Sequence, residues 1–401
     1  MNRRDVTRPV LVAIVLGLCA LASGCELSAG PGASDDDSSN IGVDADPGGD
    51  VDAETGGEAD AAAGGSVDAD PGGSGDAGSG GGGAERKWYP GHYAKKRTTA
   101  LGNPGYIGYR VELTWRSFEP TLGHYSFGGI TNQLDQAQAD GKKVLVFFHV
   151  HCEGGQENKA PADLQQAVGF DPYYTPDVEH SMTYVLKLYE PAIANKLING
   201  LNHLRDAIDG HPALAGFFFN ELIMTPSPAP GLDKAVFFEV IKDLADALGT
   251  WEQTPTSITL NWGMAAYKQQ IAEYLIRQAK IGFRDPDLGH GGDRAIGPGC
   301  GWEDGLNCAH VPTYAFLYSP DSEYRGEPWV IMMVSRPTSS CATSPQQALQ
   351  QANRMGVHFL EWVDSPANWS AAQQTSFINS LASQPNYGLT SPRPTNWAEG
   401  G

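Results

Sequence analysis

From residue 88 onward the chain alternates between two hydrophobic periods. Short runs rich in β-branched and aromatic residues read as strands, and longer stretches with apolar positions three and four apart read as helices. Strands are expected at Trp88–Ala94, Ile107–Trp115, Lys143–His149, Leu214–Asn220, Ser257–Asn261, Ile281–Arg284, Pro328–Val334 and Val357–Trp362. Helical patterns fall between most of them: Ile130–Gly141, a long helix within Pro176–Gly210 with a break at Pro191, Asp233–Gly249, Ala265–Lys280, Pro345–Met355 and Ser370–Ser383. Strands separated by helices pair in parallel, and eight such units close into a (β/α)8 TIM barrel of the α/β class. An open doubly wound sheet is the alternative, but no GxGxxG follows the first strand.

Composition changes the picture upstream. Residues 26–84 hold 14 Asp or Glu and 17 Gly, with no Lys, Arg or aromatic residue. The segment Val43–Gly49 (VDADPGG) recurs verbatim as Val67–Gly73. Such a stretch cannot bury enough apolar surface to offset its ordering entropy, so it is expected to be a disordered acidic tether. The net charge of −20 divides into +2 for residues 1–25, −14 for 26–84 and −8 for 85–401. This acidity argues against a nucleic-acid partner.

Residues 1–8 are basic through Arg3, Arg4 and Arg8, and Pro9–Leu21 is an apolar run too short for a comfortable membrane span. Ala22-Ser23-Gly24-Cys25 follows and resembles the bacterial lipobox. That resemblance implies lipidation of Cys25, removal of residues 1–24 as a signal peptide, and attachment to a membrane through the lipid. Several acyl chains on one Cys give stable anchoring where one is marginal. Glu26, rather than Asp, after the Cys implies the outer membrane or surface of a Gram-negative cell. An ordinary secretory signal is the alternative. The expected organisation is therefore a signal (1–24), a lipidated Cys with its tether (25–84) and a barrel (85–401), with a monomer expected. Export leaves Cys152, Cys300, Cys308 and Cys341 in an oxidising compartment, where Cys300–Cys308 and Cys152–Cys341 are the expected disulfides. A zinc site is the rival reading, without CxxC spacing to support it.

Barrels of this kind carry their chemistry at the C-terminal ends of the strands. Those positions hold Glu112, Trp115, His149, His151, Asn220, Glu221, Asn261, Trp262, Asp287, Glu361 and Trp362. Carboxylates beside aromatic rings suit a carbohydrate ligand, since ring faces stack on sugar C–H faces and carboxylates bind hydroxyls or move protons. His149 and His151 share a strand face; hydroxyl binding is preferred to metal ligation for them, and no metal is expected. Glu221, which follows the apolar run Phe217–Phe219 by two residues, is expected to be partly desolvated, which favours its acid form.

Two segments together resemble clan A glycoside hydrolases. They are Val111-Glu-Leu-Thr-Trp-Arg-Ser-Phe-Glu-Pro120 with Gly123-His-Tyr-Ser-Phe127, nearest to the family 42 type, and Gly216-Phe-Phe-Phe-Asn-Glu221. Phe359-Leu-Glu-Trp362 resembles that clan's eighth strand. The resemblance implies that Glu221 protonates the leaving oxygen and Asn220 holds a sugar hydroxyl, with no cofactor. It departs at the seventh strand, where the clan carries a nucleophilic Glu and this chain reads Pro328-Trp-Val-Ile-Met-Met-Val-Ser-Arg336. Glu361 or Asp287 is then the expected second carboxylate, Glu361 being alternatively a sugar ligand or a structural partner of Arg110. Glu112, Trp115, His149, His151, Asn261, Trp262 and Trp362 are the other expected substrate contacts, although the three tryptophans can equally cap the core. Glu119 is expected to brace its loop. Loss of turnover with retained carbohydrate binding is the alternative function.

Overall fold

Eight parallel strand pairings run in sequence order and close on themselves. In the computed structural model the ring consists of β1 (Gly91–Ala94), β2 (Tyr106–Thr114), β3 (Lys143–His149), β4 (Leu214–Phe219), β5 (Thr256–Ile258), β6 (Gly282–Asp285), β7 (Val330–Val334) and β8 (Phe359–Trp362). The structure describes residues 87–150, 158–174, 185–220, 222, 231–259, 267–285, 322–324, 326–327, 330–334, 344–364, 369–394 and 397. Outside them lie the signal segment, Cys25, the tether, the four remaining cysteines, His151, Glu221, Asn261, Trp262 and Asp287.

All eight expected strands are present, displaced by a few residues at their ends, and the parallel closure rules out the open sheet. One helix differs. The expected long helix before Gly210 begins only at Pro191 and runs to Ile208. Tyr173–Tyr174 and Val185–Leu186 form a short antiparallel pair ahead of it. Proline explains the boundary: it lacks the N–H that an interior position donates, whereas the first turn has no use for it.

Register decides which side chains enter the barrel, because alternate residues face opposite sides. Cross-strand partners place Gly108, Arg110, Glu112 and Thr114 of β2 on the same face as Leu145, Phe147 and His149 of β3. Phe147 pairs in turn with Phe218, and Phe218 with Ser257. Inside the ring the Phe147 and Phe218 rings meet edge to face at 5.6 Å, and Phe218 lies 6.1 Å from Phe359. The opposite faces of β3 and β4 pack outward. Phe148 stacks on Phe217, which stacks on Trp251 at 4.7 Å after the helix Lys234–Gly249.

With the shear of about eight usual for such barrels, each step to the next strand raises the level by about one residue, and alternate strands supply four side chains per layer. By that construction Gly108, Gly216, Gly282 and Phe359 make one layer. Two levels higher come Arg110, Phe218, Arg284 and Glu361; higher again lie Glu112 and Asn220, at the mouth. The glycines leave room for aromatic rings. A Cβ on Gly108 would stand 2.0 Å from the Lys143 carbonyl oxygen and 2.8 Å from the Tyr93 ring.

Candidate functional site

The mouth is built on two buried guanidinium groups. Arg110 donates through Nη1 to Glu361 Oε1 at 2.9 Å and through Nη2 to Glu112 Oε1 at 2.5 Å. Burial disfavours its charge, but the two carboxylates outweigh burial and hold its pKa above the ordinary guanidinium value. Arg284 donates through Nη1 to Asn220 Oδ1 and to Thr259 Oγ1. Both guanidinium groups lie over the Phe147 ring, at 5.1 and 4.7 Å from its centre. Ring quadrupole and cation attract more strongly there than at a wet surface.

Hydrogen-bond polarity can be followed from Arg284 outward. A guanidinium only donates, so Asn220 Oδ1 accepts and its amide nitrogen is the donor. That nitrogen lies 2.9 Å from His149 Nδ1, which therefore accepts. The neutral imidazole then carries its proton on Nε2, a buried donor with no hydrogen-bond partner among the described residues. Burial lowers the His149 pKa to about 4; Glu112 opposes the shift, while the charges of Arg110, Arg284 and Lys159 reinforce it. The imidazole is neutral throughout the neutral range, with its one N–H buried.

The two described carboxylates of the site have opposite environments. The Glu112 side chain is 50% exposed. Burial of part of the group works to raise its pKa, but the Arg110 guanidinium bonded to it reverses that effect and leaves it below the ordinary carboxylate value. The Glu361 side chain is 0% exposed, one oxygen bonded to Arg110 and the other without a partner among the described residues.

Several expectations are corrected by this placement. Glu361 was one of two candidates for the second carboxylate; sealed from solvent beneath Arg110, it is the structural partner of that guanidinium. Trp362 follows Glu361 by one residue and therefore faces out of the barrel, where its indole N–H donates to His92 Nδ1 at 3.0 Å. Trp115 is likewise buried, donating to Glu119 Oε2 at 2.6 Å. Neither indole lines a cleft; both cap the core between wall and helices. Glu119 takes its bracing place, its other oxygen accepting from the Gly123 N–H at 2.7 Å.

Glu112, His149 and Asn220 are brought together at the mouth as neighbours on β2, β3 and the end of β4. Glu221, Asp287, His151, Asn261 and Trp262 lie outside the described residues. Sequence reasoning gave Arg284 no partner and did not single out Thr259. Their signal was available: Thr259 and Arg284 are register partners' neighbours on inward faces, where an Arg demands an acceptor. Among the described residues no cluster of His, Cys, Asp or Glu is arranged to hold a metal ion.

No family model matches the chain, and no curated protein matches it. Some solved structures match the chain at low identity. Endo-glycoceramidase II from Rhodococcus sp. is 12% identical over 72% of this chain and 76% of its own, with a TM-score of 0.47. The complex of that enzyme with ganglioside GM3 gives 14% identity, 71% and 76% coverage and a TM-score of 0.46. The beta-galactosidase from Rahnella sp. R3 is 13% identical over 75% of this chain and 57% of its own, with a TM-score of 0.45.

Proposed function

We propose that this chain is a glycoside hydrolase-like protein that cleaves an O-glycosidic bond of an extracellular oligo- or polysaccharide through acid/base carboxylate chemistry, related in motif to the family 42 type. Glu221 serves as the proton donor and Asn220 as a sugar-hydroxyl ligand, with His149 and Glu112 as further contacts. The observation that carries the reading is the Arg284–Asn220–His149 chain. It fixes a neutral amide at the strand-4 end, one residue before Glu221 in the chain, and a neutral imidazole beside it at the end of β3, where sugar hydroxyls would be held. Asp287, two residues beyond the end of β6 in the sequence, is the candidate for the second carboxylate that remains of the original pair once Glu361 is withdrawn.

The surrounding organisation is proposed with it. Cys25 is lipidated, residues 26–84 hold the barrel away from an outer membrane or cell surface, and the protein is a monomer. Cys300–Cys308 and Cys152–Cys341 form disulfides. No metal or organic cofactor takes part, because acetal hydrolysis by two carboxyl groups requires none.

Glu361's burial and the absence of a carboxylate on β7 favour a second reading, a carbohydrate-binding barrel without turnover. One experiment separates the two. The full chain is incubated with a glycan panel while product release and binding are both followed, with Glu221→Gln as the control. Product release abolished by Glu221→Gln supports hydrolysis. Binding without release selects the second reading. Release that survives Glu221→Gln removes the assigned acid.

A further inference from the structure

We propose that Arg284, on β6, is a positioning residue that sets the hydrogen-bond polarity of Asn220 for carbohydrate binding; this rests on the assignment of Asn220 as a sugar-hydroxyl ligand above. Of the three side chains in the Arg284–Asn220–His149 chain, only Arg284 has no choice of role. The Asn220 amide can be turned end for end with little change in shape, and a neutral imidazole can donate or accept at Nδ1. A guanidinium donates and never accepts. Its contact with Asn220 Oδ1 therefore turns the amide nitrogen toward His149 Nδ1 and puts the ring proton on Nε2.

Arg284 is placed to hold the amide because it is itself held. It is 3% exposed. Its Nη1 also donates to Thr259 Oγ1 at 3.3 Å, and its guanidinium lies 4.7 Å from the centre of the Phe147 ring. The contacts cross four consecutive strands, from β6 to β3, and 64 residues separate Arg284 from Asn220. Removing the guanidinium therefore frees the amide without breaking a local turn. Taking a cation out of water costs stability that an apolar side chain in the same layer would not; the cation is kept for what it orients. Its charge also acts on the ring. Burial is the leading cause of the low His149 pKa, Glu112 opposes it, and Arg110, Arg284 and Lys159 add to it.

The test reads the His149 ring by nitrogen NMR of the full chain labelled at histidine, with His149→Gln identifying the signal. Wild type is expected to carry the ring proton on Nε2. Arg284→Met keeps an unbranched apolar stem and removes both donor and charge. In that variant a fraction of His149 is expected to carry its proton on Nδ1, and the pH at which the ring titrates is expected to rise. Asn220→Asp is the second variant should Arg284→Met fail to fold, since its carboxylate still partners the guanidinium. A carboxylate has no hydrogen to give, so His149 Nδ1 is expected to become the donor. Binding is followed in parallel on the panel glycan that wild type binds. Arg284→Met and Asn220→Ala are each expected to weaken it about tenfold, and the double variant by about the same factor, because the two act as one unit. A wild-type tautomer and titration in Arg284→Met, a proton left on Nε2 in Asn220→Asp, or binding lost in Asn220→Ala but kept in Arg284→Met would each overturn the positioning role while leaving Asn220 in the site. A wild type that binds no glycan overturns the carbohydrate reading and this role with it.

Discussion

Outside the mouth, Glu119 is a buried brace. Its two oxygens receive the Trp115 indole N–H and the Gly123 backbone N–H, and the residue is buried. Replacing one oxygen by an amide nitrogen puts two donors face to face. Glu119→Gln is therefore expected to cost about 2 kcal/mol, read as a lower urea midpoint at unchanged slope. The same residue shows what a sequence reveals at this scale. A Glu-Pro pair in the loop after a strand was legible as a brace because such a pair more often shapes its loop than reacts. Trp115 and Trp362 were misplaced as sugar platforms because an indole suits a cleft and a core equally. Only the register, with Glu361 turned inward, decides that Trp362 points out.

At the scale of elements, the barrel depends on small residues where backbones meet. Gly108→Ala would force a methyl group against the Lys143 carbonyl and the Tyr93 ring. A loss of about 1–3 kcal/mol is expected, as for overpacked cores, again measurable by urea denaturation. Asp233 offers a milder contrast. Its carboxylate caps the helix Lys234–Gly249 by accepting from the Ala235 and Val236 N–H groups, so Asp233→Ala is expected to cost about 1 kcal/mol. Strands were legible because buried parallel strands are continuous apolar runs, such as KVLVFFH and LAGFFF. The two-residue strands before Pro191 were not, since two residues carry no period. The Arg110–Glu361 pair was among the alternatives the sequence offered, but the place of Arg284 in the same layer went unread, because it arises from pairing between segments far apart in the chain.

For the whole molecule, acid should act through histidines before carboxylates. His92, His149 and His358 are each brought to a pKa of about 4, burial being the leading cause in all three. Each folded value lies below the ordinary 6.5, so between pH 6.5 and 4 the unfolded chain binds protons that the folded chain refuses. Stability is full above about pH 6.5 and falls as pH drops toward 4, by up to about 1.4 kcal/mol per pH unit for each histidine. Urea midpoints between pH 7 and 5 should show that slope, and His358→Gln should make it shallower. A flat profile would contradict the neutral imidazoles, including the His149 donor on which the mouth's polarity rests. The catalytic claim itself meets its sharpest test in the leaving group. Measured as kcat/KM for wild type and Glu221→Gln, an oligosaccharide substrate should lose about 10²–10⁴-fold in the variant, because a sugar alkoxide needs a proton to depart. A dinitrophenyl glycoside, whose leaving group needs none, should lose little. Equal losses on both substrates, or none on either, would contradict Glu221 as the acid.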